Sequence, residues 1–160
     1  MASREPATSE ARASGVAGSS EALALSPRHE YAHLVAGANN PTLPPPFTPG
    51  TFRNYVRMAW VSEGAATHLA GQVPHMRAAV ARRMREGGRP SFPPAARDAL
   101  VLGGTVFDFL AREAGAGAAD QLALSRSSQS ALTTLESAFG RPAASIGRSW
   151  EDYLAGFAAG

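Results

Sequence analysis

The chain contains no cysteine, which excludes disulfides and thiolate metal sites. It contains no lysine either, so all 15 basic residues are arginine. The net charge is only +2, too small an excess to create an attractive field for a polyanion. A nucleic-acid partner is therefore not expected. No run approaches the roughly 18 uninterrupted apolar residues of a transmembrane helix. Residues 1–20 have almost no large apolar side chains. Such a segment cannot bury enough surface to offset its ordering entropy, and the expectation is disorder. It also lacks the apolar core of a signal peptide, which makes the cytoplasm the default compartment. Strand signals are missing as well, since no alternating Val/Ile/Thr/Tyr run occurs before residue 26.

What remains is one domain's worth of helix-forming sequence: 160 residues, 44% hydrophobic, much of that alanine. The expectation is a mainly α fold of five to seven helices over residues 21–160, with little or no β-sheet. The stretch that organises it is His29-Glu30-Tyr31-Ala32-His33. Ser26-Pro27 is a helix-start signal and Gly37/Asn39 a stop, which predicts a helix over 27–38. Residues four apart share a helix face, so both imidazoles can point at one ion. Glu30 then lies beside that ion, where it can take a proton from a water the ion has acidified. The bland alternative is a surface helix carrying two histidines.

Further along the chain Trp60-Val61-Ser62-Glu63-Gly64-Ala65-Ala66 occurs, with Glu63 thirty residues after His33. H-E-x-x-H followed by W-x-[SN]-E-G-x-A resembles the gluzincin zinc metallopeptidases, most closely the peptidase MA-like family. Further likeness lies in Gly103-Gly104-Thr105-Val106-Phe107-Asp108-Phe109-Leu110 and in Gly140, Trp150 and Tyr153-Leu154. The resemblance implies a zincin-like C-terminal helical bundle, with Zn2+ held by His29, His33 and Glu63 and with Glu30 as general base. Glu63 would sit on a second helix over 60–72. It implies hydrolysis of a peptide or protein substrate. The chain departs from the family pattern in three places. Thr67 stands where an acidic residue usually supports a zinc-bound histidine, and His68 where a Tyr follows. Leu100 stands where members carry a Tyr, which leaves Tyr55 and Tyr31 as the available phenols. Zincins also carry a sheet before the H-E-x-x-H helix, so an upstream region or a partner would have to supply it. A non-catalytic zinc-binding helical module, or a degenerate peptidase, is the alternative.

The rest of the chain reads as connectors and core helices. Asn39–Gly50 holds five prolines and must reverse the chain beside the cleft. Thr51–Ala59 leans helical. Leu34 and Val35 are expected to pack behind the metal face, and Trp60, Val61 and Leu69 in the core. Helices are expected from Pro74 to Gly87, from Pro93-Pro94 to about Ala114, over Ser127–Phe139, and from Pro142 to about Phe157. Arg77, Arg82, Arg83 and Arg85 should form a wet face. No partner is evident for His75.

Overall fold

A computed structural model describes residues 20–159, and the segment expected to be disordered, 1–20, lies almost wholly outside the described residues. The architecture is helical, with no strand among the described residues. A short helical stretch at 20–24 leads into seven longer helices: α1 (Ser26–Asn39), α2 (Pro49–Leu69), α3 (Arg77–Glu86), α4 (Ala99–Ala114), α5 (Ala116–Ala123), α6 (Ser128–Phe139) and α7 (Ala143–Ala159). None is long and apolar enough to cross a membrane.

The two longest-buried helices, α2 and α4, form the axis. They approach at glycine. A Cβ built on Gly64 would meet the Gly103 carbonyl at 2.7 Å, and one on Gly103 would meet the Trp60 carbonyl at 2.8 Å. The absent side chains let the two backbones touch. Gly64, directly after Glu63, thus serves contact with α4. Around this crossing pack Met58, Trp60, Val61, Leu102, Val106, Phe107 and Leu110, all buried. α7 closes the bundle through Ile146, Trp150 and Leu154. The Trp150 indole donates to Thr105 Oγ1 at 3.0 Å, and the Tyr153 hydroxyl donates to Asp108 at 2.6 Å.

Local signals set most boundaries. Thr48 and Thr51 form a reciprocal cap with Pro49 in the first turn of α2, and the segment 51–59 runs on into the helix expected over 60–72, which ends at Leu69. Ser127 and Ser130 cap α6 in the same way, and Gly140 ends it in the left-handed conformation. Four expectations fail. The helix expected from Pro93-Pro94 begins only at Ala99, after a 3-10 turn, Ala96–Asp98. α5 was not foreseen, because Gly115 at its N-cap and Gly117 in its first turn read as punctuation. Leu34 and Leu69 are 61% and 59% exposed, and Val35 is exposed too: Leu34 lies in a cleft on one side of α1, and Val35 and Leu69 lie in a groove on the other. Arg83 is not on a wet face: its guanidinium donates to both Asp98 oxygens, at 2.6 and 2.8 Å, in a largely buried pair.

Candidate metal centre

α1 follows a tight turn at Leu25, and Pro27 lies in its first turn. Its four-residue spacing brings the His29 and His33 rings edge to face, with centroids 4.8 Å apart. α2 is placed across α1 by the loop between them. Asn40 Oδ1 accepts from Thr42 N and Oγ1, at 3.1 and 2.6 Å, and Asn54 Nδ2 donates to the Thr42 carbonyl at 3.1 Å. Leu43 is buried beneath the loop. Gly37 permits the fold-back, because a Cβ there would lie 2.7 Å from the Pro44 carbonyl.

The result is a triangle. His33 Nε2 lies 3.0 Å from His29 Nε2, and Glu63 Oε2 lies 3.3 Å from His29 Nε2 and 3.5 Å from His33 Nε2. Together these three residues form a group that could hold a metal ion. An ion bonding nitrogen and oxygen at about 2.0–2.2 Å in a tetrahedron has ligand atoms about 3.3–3.6 Å apart. The observed edges are close to that spacing, and one vertex is left over. The donor set fits a divalent ion that accepts imidazole and carboxylate.

Each ligand atom is backed by a second contact. Gln72 Oε1 lies 2.8 Å from His29 Nδ1. Ser62 Oγ lies 3.4 Å from His33 Nδ1. The Tyr55 hydroxyl donates a short hydrogen bond to Glu63 Oε1, so Glu63 offers only Oε2 to the triangle. Burial pushes the Tyr55 phenol up, and its bond to the Glu63 carboxylate adds to the rise. Burial would also raise the Glu63 carboxyl, but hydrogen bonds from His29, His33 and Tyr55 outweigh it and hold the group well below the usual carboxylate range. The same carboxylate raises His29 above the ordinary imidazole value against the opposing effect of burial, with Gln72 assisting.

Glu30, exposed on α1, lines a cleft of about 620 Å³ together with His33 and Tyr55; Leu43, Pro44 and Phe47 of the proline-rich loop form its other wall. A larger apolar groove of about 760 Å³ runs along the opposite side of α1 and contains Tyr31 and Arg28. Tyr31 is 67% exposed there and Leu100 is 58% exposed, so of the two phenols only Tyr55 touches the centre.

Thr67 does not face the histidines. It is buried against Gly104 of α4. His68 lies outside the ligand group, its ring 5.9 Å from that of Phe107, and burial lowers its basicity. His75 does have a partner: Glu21 lies 2.8 Å from its Nδ1. Sequence reasoning missed Gln72. A polar residue following an amphipathic helix was the only signal, and it is a weak one.

Compared with family models, with curated proteins and with solved structures, the chain finds no match in any of the three.

Proposed function

We propose that this chain is a zinc-dependent peptide hydrolase of the gluzincin kind, with His29, His33 and Glu63 as ligands. The observation that carries the reading is the triangle of ligand atoms beside a cleft whose wall holds Glu30. A structural site has no use for a free carboxylate next to the ion, whereas hydrolysis needs a general base there. Zinc, when bound, would supply the Lewis acidity that polarises a scissile carbonyl and acidifies a water. Glu30 takes a proton from the attacking water and returns it to the leaving amine. Tyr55 holds Glu63 in a one-oxygen orientation through Oε1. The proline-rich wall offers an apolar surface to side chains of the substrate.

A second reading, a zinc-binding helical module without catalysis, is favoured by one feature. The Tyr55 hydroxyl is committed to Glu63, and among the described residues no arginine or amide side chain lines the cleft to stabilise an oxyanion. Glu30→Gln separates the two. For the hydrolase, zinc content is retained while cleavage of a mixed peptide library falls by about 10²–10⁴-fold. For the module, the wild-type chain binds zinc and cleaves nothing. Zinc-replete expression that yields metal-free protein would overturn both readings.

A further inference from the structure

Gln72 lies in the turn after α2, buried and nine residues beyond Glu63. Its two amide atoms face different partners. Nε2 donates to the Ala22 carbonyl at 2.8 Å, and Oε1 lies 2.8 Å from His29 Nδ1. A main-chain carbonyl can only accept, so the NH2 must face Ala22 and the amide has one orientation. Its oxygen therefore faces His29 and also can only accept. His29 must then keep a proton on Nδ1, so Nε2, which donates to Glu63 while the ring is protonated, is the atom a metal takes once its own proton leaves. That atom is the one in the triangle with His33 and Glu63.

We propose that Gln72, locked by the Ala22 carbonyl, is the positioning residue that sets the His29 tautomer, and that segment 20–24 is thereby a working part of the metal centre. This rests on the reading that His29, His33 and Glu63 hold zinc. A second contact holds the segment. The Glu21 carboxylate pairs with His75 Nδ1 at 2.8 Å, and the His75 amide donates to the Gln72 carbonyl at 2.9 Å. The short helical stretch is thus clasped twice across the turn 72–76. An amide suits this place because it accepts from one side and donates to the other. A carboxylate would serve His29 but set an acceptor against the Ala22 carbonyl. Support of a metal-binding imidazole through its far nitrogen fixes ring orientation and tautomer, and its loss typically costs about 10–100-fold in metal affinity.

The test uses the full chain and two substitutions. Gln72→Leu removes both contacts. It is expected to weaken zinc binding by about 10–100-fold and, in the metal-free protein at alkaline pH, to turn the Nδ1–H signature of His29 in a long-range ¹H–¹⁵N spectrum into a mixture of tautomers. Gln72→Glu keeps an acceptor for Nδ1. It should hold zinc within a few-fold of wild type and keep the single tautomer, while amide exchange over residues 20–25 accelerates. Wild-type His29 found as the Nε2–H tautomer would overturn the proposal. So would a folded Gln72→Leu that binds zinc as wild type does. If the wild-type chain takes up no zinc, the proposed function fails on its own. The tautomer spectra of wild type and Gln72→Glu still decide the role of Gln72.

Discussion

α1 and α4 are of similar length and are held by different forces. α4 buries nine of its residues and α1 only two, His29 and Gly37. Leu102, Val106, Phe107 and Leu110 of α4 are fully buried, each stabilising the fold by about 1.5–3 kcal/mol. α1 carries two of the three ligand candidates, yet its Tyr31, Leu34 and Val35 face outward. It is docked by polar contacts to Glu63, Gln72 and Ser62 and by the loop crossing at Gly37. The scaffold side of the ligand helix α2 is set by apolar burial, whereas its site side is set by groups that can also bind an ion. A metal would therefore strengthen α1 and leave α4 almost as it is.

The largest expected effect breaks the site and spares the scaffold. His33→Ala should lower zinc affinity by at least about 1,000-fold, or about 4 kcal/mol, measured by competition with a chromophoric chelator. Zinc at about 100 times its Kd should stabilise wild type by about 2.7 kcal/mol and slow amide exchange in α1 but not in α4. The metal-free variant should melt within about 0.5 kcal/mol of metal-free wild type, as a partly exposed site allows. A loss of several kcal/mol without metal would show that α1 is part of the packed scaffold after all.

Gly103→Ala acts on the other side. A methyl group there meets the Trp60 carbonyl at 2.8 Å and Gly64 Cα at 3.0 Å, and those are backbone atoms that cannot swing away. Overpacking of this kind should cost about 2–3 kcal/mol and lower the melting temperature by roughly 5–10 °C. Unchanged melting would mean that the α2–α4 crossing has slack.

The smallest effect tests the anchor at the start of α4. Asp98 immediately precedes α4 and is gripped by Arg83. Arg83→Met should cost about 2 kcal/mol at neutral pH, between exposed and buried ion-pair values. The Arg83 guanidinium beside it holds the Asp98 carboxyl below its ordinary value. The stabilisation is therefore present above the unfolded-state pKa of about 4 and is lost as pH falls through the lower folded value. Denaturation curves of wild type and variant should converge in acid. A difference that persists after protonation would assign the cost to lost packing of the arginine stem.

Much of the helical scaffold was legible because its signals are local. The stripe Leu102, Val106, Phe109 and Leu110 has helical period, and all four residues are buried. The start at Ser127 and the stop at Gly140 satisfy helix-end groups within a few residues of chain, whereas the Thr48-Pro49 start lay hidden in a run of turn signals. The extra helix α5 was hidden because Gly115 at its N-cap and Gly117 in its first turn interrupt a short, alanine-rich stretch with little periodic contrast.

By itself the sequence determined that His29 and His33 share a face, because a spacing of four is a property of the helix and needs no other part of the molecule. It also placed Glu30 next to them. Only the tertiary structure decided that Glu63 reaches the same point across the loop 40–48, that Gly64 serves α4 instead of α1, and that Thr67 is turned away from the histidines. It alone supplied Gln72 and the stretch 20–24 behind His29. The physical reason is range. Helix periodicity and capping are settled within one or two turns of chain, whereas a single hydrogen bond between residues 29 and 72 leaves no repeating pattern. It exists only because helix packing brings those two atoms together.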